Sequence, residues 1–160
     1  MSPGRHVFVS GLVAWGCAET LGPAPAVAAF AAGTVIDLDH LLDWRLNRMG
    51  RFTPRRFVDA CMRFELRKFY LLAHALEWIV PFLVWALAGD VSPVVRAAGL
   101  GLLAHILMDL CGNGTTPLAY SLLNRWRHGF EARRLVVSLP PMALERWGSL
   151  AAYRRGGRQA

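Results

Sequence analysis

Apolar positions along this chain gather into long runs that polar residues interrupt at a few defined places. Val7–Gly16 is the first run, directly after Arg5 and His6. Gly22-Pro23 and Pro25 break it, and a second run, Ala26–Ile36, ends in Asp37-Leu38-Asp39-His40. Leu41–Leu66 is polar, basic and aromatic. Within it, Thr53-Pro54 reads as a helix cap followed by proline at the first helical position, opening a helix over Arg55–Glu65. Its apolar members Phe57, Val58, Cys61, Met62 and Phe64 fall mostly on one side, and arginine with phenylalanine suits a helix at a membrane interface or on a protein surface.

Phe69–Ala88 is the next run, 20 residues with His74 and Glu77 as its only ionisable members and Pro81 inside. That is the length of a membrane span. Gly89-Asp90 ends it, and Ser92-Pro93 opens a further helix that runs to Cys111 and stops at Gly112-Asn113-Gly114. The pattern predicts an all-α fold, a helical bundle with a membrane-embedded hairpin over about 69–111. After it come a short segment, Leu118–Leu123, a last amphipathic helix, Met142–Tyr153, beyond Pro140-Pro141, and a polar, disordered tail at 156–160. At the other end, Arg5, Val7–Gly16 and Ala26-Val27-Ala28 imitate a signal sequence with its cleavage site, although Glu19 and the prolines fit that pattern poorly.

Composition narrows the class. The 160 residues predict a single domain, 1–160; 54% are apolar and 18% charged, and mean hydropathy is +0.32. Disorder needs the reverse balance. Net charge is +7, and 17 of the 18 basic residues are arginine, Lys68 being the exception. Eight basic residues lie between Arg45 and Lys68 and eight more from Arg125 onward, whereas Phe69–Asn124 carries only Arg96. Basic clusters flanking long apolar runs favour anionic lipid headgroups over nucleic acid as partner, and place the basic segments on the cytoplasmic side of the membrane. Cys17, Cys61 and Cys111 form no CxxC pair and read as small hydrophobes in a reducing compartment.

Ionisable residues inside or beside the apolar runs are the candidate chemistry. They include His6, Glu19, Asp37, Asp39, His40, His74, Glu77, His105 and Asp109. His105 and Asp109 are spaced i, i+4, and both His74/Glu77 and Asp37/His40 are spaced i, i+3, so each pair shares a helix face. Each sets a nitrogen beside a carboxylate, a donor mix that zinc and similar divalent ions accept. Depth agrees as well. His74 lies about 8 Å past Phe69 and His105 about 9 Å before Cys111, at 1.5 Å per residue. His6, Asp37, His40, His74, His105 and Asp109 are the candidate ligands. Each pair also has a plainer reading, a buried hydrogen-bonded pair or a solvated helix end.

At these residues the chain resembles the bacterial inner-membrane metal-dependent hydrolases, whose best-known branch is described as LexA-binding. The resemblance rests on Arg5-His6, Ile36-Asp37-Leu38-Asp39-His40, Ala73-His74-Ala75-Leu76-Glu77, Ala104-His105-Ile106-Leu107-Met108-Asp109 and Thr116-Pro117-Leu118, in that order. It departs before the third motif, where the first of two family histidines is missing from Arg67–His74, and Ala75 replaces the usual serine or threonine. Glu77 offers a carboxylate one turn away, and neither a second metal ion nor LexA binding is carried over.

Together these readings predict a membrane-bound hydrolase that uses a divalent ion, zinc or else manganese, to activate water against a phosphoester or lipid-borne ester. Asp39 or Glu77 is the expected general base, and Arg45, Arg67 and Arg125 are candidates to hold a phosphate. The alternative is a non-catalytic membrane protein whose His/Asp pairs bind a structural metal, carry ions or fix helix packing.

Overall fold

The computed structural model describes residues 3–156. Its elements, in chain order, are α1 Pro3–Leu21, α2 Pro23–Val35, α3 Asp39–Leu46, α4 Pro54–Met62, α5 Leu76–Ala88, α6 Pro93–Gly112, α7 Leu122–Arg127, α8 Ala132–Leu135, α9 Pro141–Trp147 and α10 Leu150–Arg154. Short 3-10 turns at Ile36–Leu38 and Pro117–Tyr120 complete the set. Among the described residues there is no strand, only two isolated antiparallel bridges, Lys68 with Glu131 and Thr115 with Val136. The all-α expectation holds.

The described residues form two compact units, 3–38 with 73–112 and 39–72 with 113–156. Neither is continuous in sequence. Of the tail expected at 156–160, residues 157–160 lie outside the described residues.

The first unit consists of α1, α2, α5 and α6. Gly22 separates α1 from α2 at φ 96°, and its N–H closes α1 on the carbonyls of Cys17 and Ala18. Pro23 then starts α2 at the position where a missing N–H costs nothing. The buried faces of α1, α2 and α6 are made of small residues at four-residue spacing: Pro25, Ala29 and Gly33 on α2, Ala97 and Gly101 on α6. A Cβ on Gly101 would collide with the backbone of Ala29, and one on Gly33 with the Ser10 side chain. These backbones approach as closely as glycine allows, the packing mode of helices in lipid. Two helical stretches are long and apolar enough to cross a membrane, Pro23–Leu46 and Pro93–Gly112, with hydropathies of 1.3 and 1.6. The outward faces of the unit are apolar as well: Phe8, Trp15, Val27, Val84 and Trp85 are all more than half exposed.

The hairpin anticipated over 69–111 is shorter at its start. Helix α5 begins at Leu76 and its 13 residues extend about 20 Å. Phe69–Ala75 is irregular because its backbone is engaged elsewhere. Asp43 accepts hydrogen bonds from the N–H groups of Tyr70 and Leu71, Asn47 holds both backbone groups of Lys68, and the Phe69 N–H donates to the Phe130 carbonyl. Phe69 and Leu71 therefore enter a hydrophobic core, in the second unit, with Leu66, Leu135, Val136, Leu139 and Tyr153. An apolar run and a membrane span look alike when only hydropathy is read.

In that second unit the anticipated cap is present, Thr53 Oγ1 accepting from the Arg56 N–H at 3.3 Å, and the helix runs over Pro54–Met62. The last helix, expected unbroken over Met142–Tyr153, is divided by Gly148 at φ 72° and restarts under a Ser149 cap. Arg45 and Arg67 are exposed, whereas Arg125 is fully buried.

Candidate metal centre

The small-residue faces that bring the helices of the first unit together continue, at the same spacing, into ionisable residues. On α6 the row Ala97–Gly101 leads to His105 and Asp109; on α2 Ala29–Gly33 leads to Asp37; on α1 Cys17 and Ser10 lead back to His6. Each step is about one helical turn, or two between Cys17 and Ser10, so each row stays on one face. The 3-10 turn Ile36–Leu38 extends α2 far enough to carry Asp37. His74 lies in the non-helical turn before α5 rather than in a helix.

These residues converge. His74 Nε2 and His105 Nε2 stand 3.1 Å apart. Asp37 Oδ1 is 3.7 Å from the first and 3.5 Å from the second, and Asp109 Oδ2 is 3.5 Å from both. Four ligand atoms around a tetrahedral zinc at ~2.0–2.1 Å would be about 3.3–3.4 Å from one another. The five distances just given bracket that edge. Both imidazoles are buried, and the Asp109 side chain is 4% exposed, whereas that of Asp37 is 29% exposed. Solvent thus reaches the centre from the Asp37 side.

The surrounding contacts orient the ligands. Gly33 accepts a hydrogen bond from His105 Nδ1 at 2.8 Å, which leaves the lone pair of His105 on the Nε2 that faces the cluster. His6 Nε2 donates to Asp109 Oδ1 at 3.1 Å, and its ring stacks on His105 with centroids 4.1 Å apart. One Asp109 oxygen is therefore held by His6 while the other faces the paired imidazoles. Two overlapping sets, Asp37 with His74 and His105 and His6 with His105 and Asp109, each bring their ligand atoms within 4.8 Å of one another and can hold a metal ion.

Of the residues singled out from sequence, His6, Asp37, His74, His105 and Asp109 meet here. Asp39 and His40 are half-buried in the first turn of α3, in the second unit. Glu77 is exposed in the first turn of α5, and Glu19 is exposed on α1. Sequence reasoning misses Ser10 and the Gly33 carbonyl. The small-residue spacing 25, 29, 33 on one helix and 97, 101 on another is the signal that points to them, since such rows mark where helices touch.

No protein-family model, curated protein or solved structure matches this chain.

Proposed function

We propose that this protein is a membrane-bound, divalent-metal-dependent hydrolase acting on a phosphoester or a lipid-borne ester. The observation that carries the reading is the convergence of His74, His105, Asp37 and Asp109 at 3.1–3.7 Å inside an apolar helical unit. Buried charges are stabilised only by partners, and two imidazole nitrogens facing one another between two carboxylates call for a cation. Zinc suits the mixed nitrogen and oxygen set, and manganese is the second choice. Such an ion, when bound, supplies Lewis acidity and brings the pKa of water toward neutrality. His6 holds Asp109 in place, and Asp37 borders the solvent-accessible side where water and substrate enter. Glu77, in the first turn of α5 and in the same unit, would take the water's proton as the water oxygen bonds to phosphorus or carbon and the ester oxygen leaves.

The apolar outward faces of the first unit and the two long apolar helical stretches support a membrane location. The arginine clusters support anionic lipid headgroups as partners and a cytoplasmic side for the basic segments. The same motifs support kinship with the inner-membrane metal-dependent hydrolases. The test is turnover by purified protein against phosphodiester and phospholipid substrates. Hydrolysis that a chelator stops, that zinc or manganese restores, and that His74→Ala abolishes is the expected result. Glu77→Gln should stop turnover with the metal still bound.

One observation favours a second reading, a structural metal. Four protein ligands complete a tetrahedron, and structural zinc sites are closed in that way. In that case His74→Ala would lose metal and fold together, with no turnover to lose.

A further inference from the structure

Helices α1 and α6 run antiparallel, since His6 meets Asp109 at one end and Cys17 packs with Ala97 toward the other. Between them lies a groove of about 390 Å³, wholly within the first unit. On α6 it is lined by Leu100, Leu103, Ala104 and Leu107, the stripe next to the one that carries His105. On α1 it is lined by Val13, Cys17 and Thr20 among others, which continue the His6–Ser10 face. The one hydroxyl along it, on Thr20, is turned to the Gly16 carbonyl at 2.8 Å, so the lining is apolar. The groove begins level with the His/Asp cluster and leads away from it.

We propose that this groove holds one acyl chain of a glycerophospholipid, whose polar end then lies at the metal centre. The inference deepens the hydrolase reading and rests on it for the word substrate. Four observations select the occupant. First, α6 is one of the two stretches long and apolar enough to cross a membrane, so the groove opens toward acyl chains. Second, its length fits. Val13 to Leu21 covers about 12 Å of helix, close to one leaflet of a ~30 Å hydrocarbon core. Third, at about 390 Å³ it is smaller than the roughly 1,000 Å³ that 12 Å of α-helix with side chains occupies, so an extended chain seats in it more fully than a helix does. Fourth, Gly16 lines the groove inside α1 with no packing reason to be glycine. A Cβ there meets nothing within 4 Å, unlike one at Gly33 or Gly101. Glycine in a helix interior costs about 1 kcal/mol relative to alanine, and here it keeps the groove open.

Gly16→Leu is the test, because leucine projects into the groove from a Cβ that meets nothing within 4 Å and favours the helix. The probe is a phosphatidic acid with a diazirine near the end of one acyl chain, carried in phosphatidylcholine vesicles containing the full-length protein. Irradiation should label residues within 13–21 and 100–107, and Gly16→Leu should lower that labelling roughly tenfold with helicity and metal content unchanged. Label spread evenly over outward positions such as Phe8, Val84 and Trp85, with no change in Gly16→Leu, would overturn the proposal. So would a protein–protein cross-link across the groove in place of lipid. Metal content measured on the same sample keeps the two readings apart. Groove labelling without metal would defeat the hydrolase and leave the groove, and metal without groove labelling would do the reverse.

Discussion

The two units bury ionisable groups in different ways. In the second unit, fully buried Asp43 spends both carboxylate oxygens on backbone N–H groups, those of Tyr70 and Leu71. The result is architecture: an irregular segment is fastened to α3. In the first unit the buried carboxylate of Asp109 faces imidazoles instead, and Asp37 faces the same two nitrogens. The result is a set of side-chain donors aimed at one point. Charge divides the same way. Of the 18 basic residues, only Arg5 and Arg96 belong to the first unit, against the five acids Glu19, Asp37, Glu77, Asp90 and Asp109. The remaining 16 belong to the second, against six acids. An acid satisfied by backbone is part of the frame, whereas acids that share side-chain nitrogens in an apolar unit are candidates for chemistry.

The contrast can be broken most severely at Gly101. Leucine there would drive α6 off the Ala29 backbone, at a cost of about 3 kcal/mol or more. The His/Asp cluster would come apart, so Gly101→Leu should lose bound metal although it replaces no ligand, as elemental analysis would show. Asp43→Ala tests the other half. Stranding two buried N–H groups should cost about 2–3 kcal/mol, seen as a lower midpoint of chemical denaturation in detergent, with metal content unchanged. If Asp43→Ala removes metal, the division between frame and site is wrong.

Much of the site is legible in the amino-acid sequence. His105 and Asp109 stand one turn apart on an unbroken helix, so periodicity alone aligns them. His6 and Asp37 lie at the ends of recognisable apolar runs. His74 reads as helical by its apolar neighbours and lies in a turn. Nothing in those neighbours reveals that Asp43 and Asn47, more than 20 residues earlier, hold the preceding backbone out of helix. The two-unit division is illegible for the same reason. The chain passes between units near residues 38, 72 and 112, and the passage at 72 falls inside an apolar run, where hydropathy does not mark it.

A milder change sharpens the role of His6. If it orients Asp109 rather than completing the centre, His6→Ala should weaken metal affinity about 10–100-fold without abolishing binding, measured by competition with a chelating dye. Complete loss would make His6 a ligand in its own right. The smallest effect is expected at Thr53, where alanine removes the cap of α4. It should lower stability by about 1 kcal/mol and leave metal affinity untouched.

The central claim is that the first unit binds a divalent ion. Metal content of detergent-purified protein, measured by mass spectrometry for the wild type beside the His105→Ala/Asp109→Ala double variant, addresses it directly. The account predicts zinc or manganese in near-stoichiometric amount in the wild type and its loss from a double variant that keeps its helicity. Metal-free wild type, even after incubation with both ions, would contradict it and leave the cluster as a hydrogen-bonded clamp between helices.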